Sequence, residues 1–354
     1  MVIHMILENT AGLMRAGLAS ARFGSYAVLV CMGDTTAFVT SPDVGPDTYF
    51  DIASMGKALI TAPLILRAVG EGKISLDDTL DRFFVIPECP DKETKKHITI
   101  TQLLTHTSGI VRIPLSPEAA AKGNDALAEQ IIANPLAYTP GTKYVYSCNA
   151  YILLGFIAEK IYGAPLDRLF EKYIKEPLGL TRSRFNIALD EPDAVISYRW
   201  REPGKYRVDD ENVQIMGGIA GSGANFWTLR DIDVFCKAVM EKSGKLWAPY
   251  LYDLAEKDYT PGAQFEEGRG LGWLVVDKRY TQTGRLFPEG SFGHCGHTGC
   301  SMYMSRERDL RVIILTNATR YANMANDFHG YDYGKIEKMR EEIHNAIADD
   351  LGIN

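Results

Sequence analysis

Apolar residues along this chain recur in two patterns, and each predicts a kind of element. A helical period runs through the N-terminal stretch MVIHMILENTAGLMRAGLASA and through residues 333–351. In the latter, Ile336, Met339, Ile343 and Ile347 share one stripe, so an amphipathic helix is expected at each end. Short continuous apolar runs form the second pattern. YAVLVCM (26–32) lies between Gly24-Ser25 and Gly33-Asp34 and reads as a strand. Gly33-Asp34 reads as a hairpin turn into TTAFVT (35–40). Residues 49–52 read as a further short strand. A helix from Ser54 to about Gly70 is apolar nearly all round, which predicts burial.

The middle of the chain is mainly helical in pattern. Residues 77–84 look like a lid or hairpin, and a helix is expected over 98–104 with Thr101 near its cap. PLAYTPGTKYVY (135–146) is a loop with a turn at Pro140-Gly141. Helices follow over 151–162 and 166–174. Strands return over 270–276, 290–294, 301–304 and 310–316, with the polar turn RERD (306–309) between the last two. This order predicts an α+β sandwich: an antiparallel sheet built from both chain ends, flanked by the N- and C-terminal helices, with an all-helical lobe inserted. The expected division is 1–70 plus 260–354 for the sheet domain and 71–259 for the insert. The active site would lie in the cleft between them.

Composition narrows the classes. The 354 residues are 46% hydrophobic and 23% charged, with a net charge of -7, a profile of a globular chain without a basic stripe for nucleic acid. No apolar run is long enough to span a membrane, and no basic leader precedes an apolar core. A cytoplasmic location is therefore expected, with the six cysteines as free thiols.

Three short motifs carry the chemistry. Ser54-Met55-Gly56-Lys57 opens the buried helix, and residues three apart share a face. The Lys57 amine can then reach the Ser54 hydroxyl. Desolvation lowers the pKa of a buried lysine, which lets it act as a base toward a serine nucleophile. Tyr146-Ser147-Cys148 supplies a phenol that, near Lys57, would ionise more easily and pass a proton to a leaving group. Phe292-Gly293-His294-Cys295-Gly296 places an H-x-G on a strand. Gly296 would let a substrate backbone approach, and the His297 N–H would join that of Ser54 as an oxyanion hole. His294, Cys295, His297 and Cys300 with Cys148 form a His/Cys cluster. Strand alternation sends neighbours to opposite faces, so no metal is expected there. His106 reads as a loop-holding group, and Trp200, Trp227 and Trp273 as core.

The order S-x-x-K, Y-S-x, H-x-G resembles the serine β-lactamase-related, penicillin-binding family. That group contains class C β-lactamases, D-Ala-D-Ala carboxypeptidases, D-aminopeptidases and family VIII-type esterases. FDIASMGKA (50–58), ITITQLLTHTSGI (98–110), residues 163–185, GGIAGSGANFWTLRD (217–231) and residues 293–317 extend the resemblance over roughly 20–320. It implies a β-lactamase/transpeptidase-like fold and an acyl-enzyme mechanism without a cofactor. It also implies a small ester, amide or short-peptide substrate. Ser54 resembles the acylated nucleophile, Lys57 its proton acceptor, and Tyr146 the general base. His294 stands where β-lactamases carry the lysine of K-T-G and would orient Tyr146 and the substrate. Cys148 departs from the family, because its position usually holds an Asn that contacts the substrate amide. Asn149 is one residue too late to replace it. An acyltransferase using the same residues, or a non-catalytic penicillin-binding sensor, are the rival readings.

Overall fold

The computed structural model describes residues 5–197, 206–262, 264–280, 282–324 and 333–354. Trp200 lies outside them. Seven strands form one antiparallel sheet: β1 (Tyr26–Met32), β2 (Thr35–Thr40), β5 (Gly268–Arg269), β6 (Leu274–Val275), β7 (Phe292–Cys295), β8 (Ser301–Ser305) and β9 (Leu310–Thr316). Their spatial order is β2-β1-β9-β8-β7-β6-β5. The two chain ends thus meet at β1 and β9, where Tyr26 pairs with Thr316 and Met32 with Leu310.

Continuous apolar strands follow from a sheet covered on both faces. Along β1, Ala27, Leu29 and Cys31 join one apolar cluster, while Tyr26, Val28 and Val30 join another. The second cluster includes Ile336, Met339, Ile343 and Ile347 of the C-terminal helix (Tyr333–Leu351) and Met14 of α1 (Glu8–Ala19). The opposite face is covered by α2 (Ala62–Gly70) and the helix Leu229–Met240, whose apolar residues enter the first cluster. The terminal helices therefore cover one face only. Trp227 and Trp273 are core residues of that first cluster.

Several boundaries differ from the expected ones, each for a local reason. The helix expected from Ser54 is not uniform. Ala53–Met55 is a 3-10 turn, Lys57–Thr61 a wide π turn, and regular helix begins at Ala62. Pro63, which has no N–H to offer the turn before it, sits where the π turn gives way to regular helix. The expected strand over 270–276 is broken at Gly272, whose φ is +90° and where a Cβ would meet Ala62 Cβ at 2.3 Å. Only Gly268–Arg269 and Leu274–Val275 pair. The helix expected from Tyr151 starts at Cys148, because Ser147 Oγ accepts the Ala150 N–H at 3.2 Å. Thr99, not Thr101, caps the helix Ile100–Leu104, in a capping box with Gln102. The mainly helical segment also carries β4 (Phe226–Trp227), paired with β3 (Phe50–Asp51), so it is not wholly helical.

Candidate active site

The start of the Ser54 segment is held from outside. Ile52 N–H donates to Asn225 O at 3.0 Å, and Ala224 N–H donates to Ala53 O at 2.9 Å. Ala53 has a φ of +48°, a left-handed conformation that L residues rarely adopt. A Cβ at Gly223 would stand 2.2 Å from Ala53 O, so only glycine lets this loop close on the turn. The result is a serine projected into a cleft of about 720 Å³, lined also by Tyr146, Cys148, Arg269, His294, Cys295 and His297.

A 3-10 turn nearly eclipses residues i and i+3. Lys57 Nζ accordingly donates to Ser54 Oγ at 3.0 Å, as the S-x-x-K spacing predicts. The ammonium is fully buried and also reaches Ser222 O at 2.5 Å and Cys148 Sγ at 3.5 Å. Burial pushes the Lys57 pKa below its ordinary value, partly opposed by Cys148 and Asp210. The amine is thereby brought toward the neutral form that a base requires.

Tyr146 lies on the other side of the hydroxyl. Its ring centroid is 5.0 Å from Lys57 Nζ. His106 stacks on it at 4.3 Å with a 33° tilt. Burial raises the phenol well above its usual value, and Ser54 and Arg269 pull the other way. Easier ionisation of Tyr146, expected from its nearness to Lys57, is not what the structure gives. The low-dielectric surroundings outweigh the nearby charge, and the resting phenol is held protonated.

The β7 end departs from expectation in two respects. The strand stops at Cys295, and Gly296 begins a turn closed by its N–H on Cys300 O at 2.8 Å. Strand alternation therefore does not extend to His297. His294, Cys295 and His297 all line the cleft, and no group of three metal-binding side chains occurs among the described residues. A Cβ on Gly296 would meet Ile52 O at 2.2 Å and Ala53 Cβ at 3.3 Å. What approaches this glycine is the chain just before Ser54, not a substrate backbone. Its role is to seat the end of β7 against the turn that carries Ser54. Thr298 Oγ1 ties the same turn to Asp51 O at 2.7 Å.

His294 Nδ1 donates to Cys295 O at 2.8 Å, which fixes the neutral tautomer. Burial, with Arg269 and Lys57 nearby, holds its pKa well below normal. Nε2 is buried with no hydrogen-bond partner among the described residues, so His294 does not hold Tyr146 by a hydrogen bond here. His297 Nε2 stands 3.6 Å from Asp209 Oδ2. His106 holds its loop as expected: its Nδ1 accepts the Ser147 N–H at 3.1 Å, and its carbonyl accepts Tyr138 Oη at 3.0 Å.

Cys148 occupies the first turn of its helix and turns its thiol to Lys57. Asn149, about 100° further round, sends Nδ2 to Ile113 O at 3.4 Å instead. The one-residue slip is therefore real in three dimensions.

Four participants were not read from the sequence. Asp51 is buried and accepts the N–H groups of Ala53 at 2.9 Å and Asp209 at 3.0 Å. Burial raises its pKa to about 7 against those bonds. Ser222 contributes only a carbonyl, which no side-chain pattern announces. Tyr144 and Arg269 pair within the cleft, Nη2 to Oη at 2.5 Å. Tyr144 could have been noticed, because in KYVY it stands two residues from Tyr146 and extended chain returns to the same side at that spacing.

A serine, a buried lysine and a tyrosine in a cleft beside an antiparallel sheet define a serine hydrolase that works through an acyl-enzyme. The beta-lactamase family profile matches residues 10–330, and the chain belongs to that family. A protein of Escherichia coli (strain K12) with the provisional name D-alanyl-D-alanine carboxypeptidase is 29% identical over 305 residues, 76% of this chain and 69% of that protein. A Salmonella agona (strain SL483) protein of the same name is 30% identical over 302 residues, 77% and 69%. The octameric penicillin-binding protein homologue from Pyrococcus abyssi shares the fold at a TM-score of 0.73 and 21% identity, covering 99% of this chain and 78% of that one. EstCE1, described as a hydrolase with promiscuous acyltransferase activity, gives 0.74 at 18%, covering 95% and 98%. Among the described residues no helix is long and apolar enough to cross a membrane.

Proposed function

We propose that this serine hydrolase acts on a small carboxylic ester through acylation of Ser54. Lys57 takes the Ser54 proton as the oxygen attacks the carbonyl. Tyr146, held protonated, gives its proton to the leaving oxygen, and the Lys57 ammonium reprotonates the resulting phenolate. The Ser54 and His297 N–H groups receive the oxyanion. Water then releases the acyl group along the reverse proton route. The observation that carries this reading is the fully buried Lys57 Nζ at 3.0 Å from Ser54 Oγ, with the Tyr146 phenol facing the same hydroxyl. The division of the chain into 1–70 plus 260–354 and 71–259, with the site at their junction, belongs to the same proposal.

An ester is favoured over a peptide because the position that would offer a carboxamide to a substrate amide holds a thiol spent on Lys57. One observation supports the second reading, a D-peptidase of the kind the curated relatives' name describes. Arg112 lines the cleft mouth, is exposed, and makes no ion pair among the described residues, so it is placed to meet a substrate carboxylate. A panel of p-nitrophenyl esters, D-amino-acid amides, D-Ala-D-Ala peptides and a chromogenic cephalosporin separates the two. The ester reading expects kcat/KM on esters to exceed that on amides by at least about 100-fold, which is about 2.7 kcal/mol of barrier. Peptide turnover that matches ester turnover and falls in Arg112→Gln would replace it with the second. Product analysis with an added acceptor alcohol shows whether water or an alcohol takes the acyl group.

A further inference from the structure

Tyr146 is faced by groups from several elements. Lys57 and Ser54 come from the nucleophile segment, Cys148 from the following helix, His106, Tyr144 and Tyr151 from the helical side, and Cys295 and Arg269 from the sheet. Only one of these carries a charge that is permanent. The charge of Lys57 comes and goes within each turnover, because its amine takes the Ser54 proton and passes one back to Tyr146. His106 and His294 are kept neutral by burial. Arg269 remains a cation: burial opposes its charge, but Glu267 and the two tyrosines more than restore it.

The position of Arg269 is fixed from three directions. Its backbone N–H donates to Thr260 Oγ1 at 2.9 Å and to Asp258 Oδ1 at 3.1 Å. Its guanidinium pairs with Glu267 and donates to Tyr144 Oη at 2.5 Å. Only 3% of the residue is exposed. The guanidinium carbon then stands 5.0 Å from the Tyr144 ring centre and 5.5 Å from that of Tyr146. A buried, oriented positive charge beside a phenol stabilises the phenolate more than the phenol.

We propose that Arg269, held in place by Glu267 and Tyr144, is a positioning residue that makes Tyr146 a competent proton donor to the leaving oxygen. The inference rests on the reading of Tyr146 given above. Proton transfer is conserved: the Tyr146 O–H bond breaks as the new O–H forms on the departing alkoxide. The phenolate left behind is the species Arg269 faces. A charge at about 6 Å in surroundings of effective dielectric near 20, and partly offset by Glu267, shifts a proton affinity by about one to two pH units. Leaving groups differ in their need for that proton. An ethoxide must be protonated as it departs, whereas p-nitrophenoxide leaves as the anion.

The test compares ethyl and p-nitrophenyl esters of one carboxylic acid on the full chain. In Arg269→Met, kcat on the ethyl ester is expected to fall by about 10- to 100-fold. The rate of the p-nitrophenol burst, which reports acylation by the aryl ester, is expected to lose no more than about threefold. Arg269→Lys keeps the charge and restores most of the ethyl-ester rate. Glu267→Gln leaves the guanidinium less neutralised and does not lower the ethyl-to-aryl ratio. The burst of p-nitrophenol counts folded, acylable sites in each variant, so a poorly folding Arg269→Met is corrected for. Equal loss on both esters, or a ratio that fails to recover in Arg269→Lys, overturns the proposal. Absence of a Ser54 acyl-enzyme in the unmodified protein would instead remove the reading beneath it.

Discussion

Cys148 carries the pocket's departure from its family's pattern, and its thiol is a weak acceptor 3.5 Å from Lys57 Nζ. Replacing it by Asn returns a carboxamide to the first turn of that helix. One recovered hydrogen bond is worth roughly 1 kcal/mol. Cys148→Asn is therefore expected to raise kcat/KM on an amide by about fivefold relative to the matched ester, read from parallel assays on both. At this scale the side chains that gather in the cleft were legible. Ser54, Lys57, Tyr146, Cys148, His294 and His297 all line the cleft or meet at Ser54 Oγ. The surroundings that set their protonation were not legible. A short motif names a phenol, but whether it is easier or harder to ionise depends on burial and on Arg269, which is 123 positions away. Gly296 was legible as a close-approach glycine, yet what approaches it is Ile52 O.

At the scale of elements, two junctions hold the site. Gly296 lets the end of β7 lie on the chain just before Ser54. Gly296→Ala would set a Cβ 2.2 Å from Ile52 O and move the two apart. A displacement near 1 Å in a catalytic constellation costs on the order of 100-fold. A fall in kcat of that size is expected, together with a loss of about 1–3 kcal/mol in unfolding by denaturant, because the atom that must move is backbone. The second junction is Asp231, in the first turn of the helix Leu229–Met240. It is 2% exposed and accepts the N–H groups of Thr181, Arg182 and Ser183 and the Ser183 hydroxyl. Asp231→Ala leaves these donors unpaired, and about 2–4 kcal/mol of stability is expected to be lost in urea unfolding. The long apolar strands and the terminal helix were legible because periodicity is their main signal. Boundaries went astray where a single residue overrules the period. Ser147 starts a helix three residues early, Gly272 breaks a strand, and the left-handed Ala53 turns the expected helix start into a 3-10 turn.

Over the whole molecule, buried histidines govern the response to acid. Burial holds His106 and His294 well below the usual histidine value and brings His344 down to about 4. Below about pH 6.5 the unfolded chain binds protons that these groups refuse in the fold, so stability falls as pH falls. His344 alone accounts for roughly 3 kcal/mol between pH 6.5 and 4. Asp51, raised to about 7, works in the opposite sense: its contribution is complete below about pH 4 and is lost as pH rises toward 7. Three histidines outweigh one carboxyl, so the unfolding midpoint is expected to drop steadily from pH 6.5 to 4. His344→Gln should flatten that slope by about one proton, measured by thermal unfolding across the range. A slope unchanged by the substitution would contradict this balance.

Incubating the protein with a slowly released p-nitrophenyl ester, quenching in acid and mapping the added acyl mass by peptide is the most direct measurement. The expected result is a single acyl group on Ser54, formed at the rate of the p-nitrophenol burst and lost in Ser54→Ala together with turnover. An acyl group on another residue, or turnover that persists in Ser54→Ala, would contradict it.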